Sequence, residues 1–180
     1  MISCTEFIPA YSDLFRFLEK RDGKEAVIRF WHHLSDHFLG NLKAAVEKEG
    51  IQGCWTYWSR TLSEEAADFK MELDTKKGIF KGTLRHCPSK GRLLKLKHFK
   101  AYPDYCGHCD VLYRRVLEPL GYDVYLDMSE CDRATCRFYV LKKGSPRPSK
   151  PDPEIRTRRI KKSRAEQPAD FGSAKDPPGY

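Results

Sequence analysis

The hydrophobic period of the chain changes near residue 68, and that change limits the folds open to it. Before it, apolar residues recur every three to four positions. Tyr11, Leu14, Phe15 and Leu18 do so from Ala10 to Arg21, where Asp22-Gly23 stops the run. Val27, Phe30, Trp31, Leu34 and Phe38 continue the pattern over 24–39, and Leu42, Ala45 and Val46 carry it to Gly50. A further helix is expected over 52–67, burying part of the set Trp55, Trp58 and Leu62. Beyond it, Phe69, Met71 and Leu73 alternate with polar residues, and Ile79, Phe80 and Leu84 come after Asp74-Thr75-Lys76-Lys77-Gly78. A period of 3.6 marks helix and a period of two marks strand, so 69–84 reads as a hairpin.

The remainder mixes both patterns. Cys87-Pro88-Ser89 breaks the hairpin, with Ser89 placed to cap a short helix through Leu94. A helix is expected over 104–120, with Val111, Leu112, Val116 and Leu117 inward, and Gly121 ends it. Tyr122, Val124, Leu126 and Met128 alternate as a strand, and Cys136, Phe138 and Val140 form the last one. This order predicts an α+β fold in which N-terminal helices pack on one face of an antiparallel sheet of about four strands. Residues 1–143 are expected to form a single domain.

Charge separates that domain from the C-terminal end of the chain. The 180 residues hold 33 Lys and Arg against 25 Asp and Glu, a net of +8. From Leu141 to Tyr180 there are 11 against 5, which leaves 22 against 20 in the rest. The body is close to neutral and the basicity lies in the last 40 residues. Seven of the 11 prolines also fall there, around Arg156-Thr157-Arg158-Arg159-Ile160-Lys161-Lys162. Sparse apolar residues and dense proline cannot offset chain entropy, so 144–180 is expected to be a disordered basic tail. It reads as a solubilising appendage, with weak nucleic-acid contact as its alternative use. No run approaches the roughly 18 apolar residues of a membrane helix. The start, Met1-Ile2-Ser3-Cys4-Thr5-Glu6, lacks the basic and apolar regions of a secretory signal, so a cytoplasmic protein with no membrane partner is expected.

Seven cysteines, an odd number with no secretory signal, argue against a disulfide framework. Five lie after the hairpin. Cys106-Gly107-His108-Cys109-Asp110 is succeeded, with 21 residues between Cys109 and the next cysteine, by Cys131 and then Cys136. A helix running out from Asp110 and a strand returning from Tyr122 bring Cys131 back beside Cys109 if they pack antiparallel. Cys106, Cys109, Cys131 and Cys136 are thus candidate metal ligands, with zinc first and iron or an iron–sulfur cluster second. Cys136 also suits a buried apolar position beside Phe138. Cys4 and Cys54 fall outside the cluster. His33 and His37 have chelating spacing, but a plain helix face accounts for them. His86 and His108 each adjoin a cysteine, and an imidazole beside a thiol can make it a nucleophile. His108, Asp110, His86 and Cys87 are therefore the candidate catalytic residues. Tyr102, Tyr105, Tyr113 and Phe99 would wall a pocket or fill the core.

Helices first, a central hairpin, Cys109-Asp110 opening a helix, Gly121 and the strand Cys136-Arg137-Phe138-Tyr139-Val140 resemble the L-2-amino-thiazoline-4-carboxylic acid hydrolase family. More distantly they resemble the 4-vinyl-reductase-type small-molecule-binding domains, which end in a similar Cys-x-Phe-x-Val strand. The resemblance covers about 60–140. It implies an α+β ligand-binding fold with a cysteine-lined pocket and hydrolytic opening of a cyclic C–N bond in a small molecule. The alternatives are a metal- or ligand-sensing module with a structural four-cysteine zinc site, and a zinc-containing nucleic-acid-associated protein. The sequence carries no indication of oligomeric state.

Overall fold

The computed structural model describes residues 4–146. Four helices come first: α1 (Cys4–Asp22), α2 (Lys24–Phe38), α3 (Gly40–Glu49) and α4 (Ile51–Glu64). The hairpin β1 (Asp68–Asp74) and β2 (Ile79–His86) comes next, then α5 (Pro88–Lys95) and α6 (Gly107–Leu117). Strand β3 (Tyr122–Asp127), a 3-10 turn (Cys131–Arg133) and strand β4 (Cys136–Lys142) complete the order. The fold is α+β, with helices packed against a four-stranded antiparallel sheet in the order β1-β2-β4-β3. The expected basic tail lies outside the described residues. No helix among the described residues is long and apolar enough to cross a membrane.

Register explains how the sheet acquires one apolar face. Leu73, Phe80, Val140 and Val124 lie in one cross-strand row, and Met71, Gly82, Phe138 and Leu126 lie in the next. These residues meet Leu42, Val46, Cys54, Trp58 and Leu117 from the helices in the main core. Trp58 stacks on Phe80 at 5.3 Å between ring centroids and leans on Phe138 at 4.8 Å. Gly82 makes room for this: a Cβ there would stand 2.2 Å from the Phe138 ring. The opposite face alternates out of phase and carries Lys70, Glu72, Lys81, Tyr125, Arg137 and Tyr139.

A second core forms away from the sheet, where Phe15, Val27, Trp31, Leu93, Tyr102, Tyr105 and Val111 join α1, α2, α5 and α6. Two hydroxyls tie it together. Ser12 accepts the Tyr102 amide at 2.9 Å, and Ser35 donates to the Leu112 carbonyl at 2.8 Å. Helix α6 belongs to both cores, with Val111 in one and Leu117 in the other.

Two local expectations are corrected. Helix α1 begins at Cys4 rather than Ala10 and runs through Pro9, because Phe7, Ile8 and Tyr11 extend its period upstream; Pro9, in the second turn, gives up one intrahelical amide bond. Helix α5 is capped by Cys87, whose Sγ accepts the Lys90 amide at 3.5 Å with Pro88 in the first turn. Ser89 instead hydrogen-bonds Tyr105 through its side chain.

Candidate functional site

Five cysteines gather at one end of the sheet. Leu84 and Cys136 are paired at the last position between β2 and β4, and Cys87 comes directly after β2. The Cys87 amide donates to the Ala134 carbonyl at 2.7 Å, and Thr135 Oγ1 donates to the Arg85 carbonyl at 3.1 Å. These bonds hold the 3-10 turn bearing Cys131 against the end of β2. A buried carboxylate anchors that turn from the other side. Asp127 accepts from Ser129 (Oγ at 2.6 Å, amide at 3.1 Å) and from Arg137 at 2.9 Å, and Arg137 also reaches Glu130 at 3.1 Å. Burial works to raise the Asp127 pKa, but those hydrogen bonds outweigh it and hold the carboxyl below its usual range.

The N-terminus of α6 enters from above. Cys106 is its N-cap, and His108 and Cys109 lie in its first turn. Burial pushes the Cys106 thiol up, and Cys131 beside it pushes further, with Cys87 and Cys136 contributing. Burial likewise raises Cys109, which feels Cys87, Cys106, Cys136 and the carboxylate of Glu65. Cys136 is pushed up to about 12 by burial and by Cys87 and Cys131. Burial also raises the Cys87 thiol, so Cys87, Cys106, Cys109 and Cys136 are protonated at neutral pH, and Cys131 lies within electrostatic reach of Cys106 and Cys136. The five form one thiol cluster.

His108 is the best-defined group beside the thiol cluster. Its ring lies among those of Tyr105 (4.9 Å), Tyr11 (5.6 Å), Phe15 (5.8 Å) and Trp31 (6.4 Å). Burial among them lowers its pKa to about 4, against the smaller opposing effect of its hydrogen bond to the Tyr105 carbonyl. A carbonyl can only accept, so His108 Nδ1 carries the single proton of the neutral ring. Nε2 is then a bare acceptor, and it stands 3.5 Å from Cys109 Sγ. The resting pair is a neutral S–H···N dyad at a helix N-terminus, a position that favours the thiolate once the proton moves.

The other expected residues take different places. Asp110 is buried but turned to Arg114, which it binds at 2.6 Å, so orienting His108 falls to the Tyr105 carbonyl. His86 is exposed at the end of β2 with its ring against Gly91, where a Cβ would approach Nε2 to 2.4 Å. Cys87 belongs to the thiol cluster. Tyr102 and Tyr105 belong to the second core, and Tyr113 and Cys109 pack against the first. The His33 and His37 rings are tilted to each other at 4.2 Å between centroids on α2. Among the described residues no three His, Cys, Asp or Glu side chains are set to hold a metal ion. Tyr11 and Glu65 also lie within electrostatic reach of Cys109: the thiol pushes the Tyr11 hydroxyl up, and the Glu65 carboxylate pushes the thiol up. Neither stands out in the sequence, because Tyr11 sits 98 positions from Cys109 in a plain amphipathic helix and Glu65 ends one.

No protein-family model, curated protein or solved structure matches the chain.

Proposed function

We propose that the protein binds a small cyclic amidine- or thiazoline-like molecule at the thiol cluster and opens its C–N bond hydrolytically. The observation that carries this reading is the contact between Cys109 Sγ and a His108 Nε2 whose tautomer leaves it free to accept. Cys109 is the nucleophile and His108 the proton carrier. The thiol proton passes to Nε2 as sulfur adds to the electron-poor carbon, and from there to the ring nitrogen, whose bond to that carbon breaks. Water, deprotonated by His108, then displaces the sulfur, and the proton returns to Cys109. Burial alone keeps both groups neutral, so the ion pair forms only as substrate arrives, which the helix N-terminus assists. Thiols this closely grouped stay reduced in a reducing compartment, which favours a cytoplasmic setting.

Ring opening of a panel of cyclic amidines, including 2-amino-thiazoline-4-carboxylate, monitored by NMR with the full chain tests the reading. Turnover abolished by Cys109→Ser supports it. Turnover that survives this substitution, or no turnover across the panel, rules out the nucleophilic role.

A second reading has its own observation, namely five cysteines in one cluster. It makes the protein a zinc- or iron-binding sensor module, with Cys106, Cys109, Cys131 and Cys136 as the candidate ligands. Their present positions do not fit a metal, and side chains would have to turn to bring three sulfurs together. Elemental analysis of the purified chain decides it: about one metal per chain supports a sensor, and none removes it. A nucleic-acid role would rest on the basic segment beyond residue 146, outside the described residues.

A further inference from the structure

The inner side of α1 is accounted for by Tyr11, Phe15 and Leu18 in the second core and by Ser12 on the Tyr102 amide. Its outer side is apolar too. Phe7 and Phe17 are each 55% exposed, Leu14 is 36% exposed, and Ala10 is exposed between them. Positions 7, 10, 14 and 17 alternate steps of three and four, the narrow seam by which one helix pairs with another. Single exposed apolar residues need no explanation, but a continuous stripe along one helix does.

Charge along the same helix selects the occupant. Glu6 and Asp13 flank the seam in its N-terminal part, and Lys20 and Arg21 flank it near the C-terminus. Arg21 lies over the Phe17 ring at 5.4 Å, at the basic end of the stripe. A second copy laid antiparallel sets Phe7 against the partner's Phe17 and Ala10 against the partner's Leu14, so large meets small in the central layers. It also sets Glu6 beside the partner's Lys20, and the two helix dipoles oppose. Near the twofold axis Asp13 meets the partner's Asp13, each already held by its own Arg16 at 2.9 Å. A parallel pair would place acidic end beside acidic end.

We propose that the protein self-associates through α1, forming an antiparallel α1–α1 homodimer. A 19-residue helix is about 28 Å long. One face of that length buries less than about 1,200 Å² in total, the range of weak and exchanging contacts. Phe7 stacks on Tyr11 at 5.8 Å between ring centroids, so the seam borders the buried face of the helix.

Sedimentation velocity of the full chain from about 1 μM to about 1 mM is the test. The expected result is a mass rising from 20.9 kDa toward twice that value with concentration. Phe17→Glu weakens association by roughly tenfold or more, and Lys20→Glu does so by like-charge repulsion with the partner's Glu6. Adding Glu6→Lys to Lys20→Glu restores it. A monomer throughout the range overturns the proposal, as does a dimer indifferent to Phe17→Glu. A double charge exchange weaker than the single one overturns the antiparallel arrangement. Far-UV circular dichroism checks that each variant folds, and if Phe17→Glu does not, the exchange at the exposed Glu6 and Lys20 decides alone.

Discussion

Cys109 and His108 are adjacent in sequence, yet their chemistry comes from residues far from them. Phe15 and Trp31 arrive from α1 and α2 to desolvate the imidazole, and this lowers its pKa to about 4 from an ordinary 6.5. Between those values the unfolded chain takes up a proton that folded His108 refuses. The contribution is fully present above about pH 6.5 and is lost as pH falls toward 4. Urea unfolding from pH 7 to pH 4 is thus expected to show a steeper loss of stability in the native chain than in His108→Asn. Equal slopes would mean that the ring is not desolvated as described. Cys109→Ser should differ from Cys54→Ser in kind. Cys54 is buried in the main core with its pKa raised to about 12 by burial. Both substitutions bury a hydroxyl, but at 109 it can donate to His108 Nε2, so Cys109→Ser should abolish turnover and lower the melting temperature less than Cys54→Ser, which should lower it by several degrees and spare turnover. Activity and thermal unfolding of the two variants make the comparison.

At the scale of elements, close approach decides more than propensity. Gly53 lets α4 cross α3 so tightly that a Cβ would lie 2.2 Å from the Ala45 carbonyl oxygen. That neighbour is backbone and cannot swing away, whereas the Phe138 ring over Gly82 can shift only by disturbing Trp58 and Phe80. Gly53→Ala and Gly82→Ala are each expected to cost about 1–3 kcal/mol as overpacking, with Gly53→Ala the larger. Chemical denaturation measures both, and a neutral Gly53→Ala would show that the helices separate at little cost. The two glycines look alike in sequence, one inside a helical run and one inside a strand. The partner that makes each necessary belongs to another element, so periodicity could not single them out. Helix limits were legible to within a few residues, except where Phe7 and Ile8 carried α1 past Pro9.

For the whole molecule, the question is whether two cores make two folding units. Helix α6 gives the answer by contributing Val111 to one and Leu117 to the other, six residues apart on a rigid rod. Loss of either core releases α6 and with it Cys106, His108 and Cys109. A single cooperative transition is therefore expected. Trp31 sits in the second core and Trp58 in the first, so single-tryptophan variants retaining one or the other report each separately. Their fluorescence midpoints in denaturant should coincide, and midpoints that differ would show that the helical core opens alone.

What the sequence determined by itself was the kind and order of the elements, because hydrophobic period is a local property that reports which side of a segment faces a core. It also placed Cys106, His108 and Cys109 together, since three residues in four positions at a helix start cannot be far apart. Only the tertiary structure decided which core each face meets. It set Cys87, Cys131 and Cys136 around the α6 N-terminus and packed Phe15 and Trp31 against His108. The physical reason is that desolvation and thiol proximity depend on atoms brought in from distant segments. Spacing along the chain constrains those only within a single helix turn or strand.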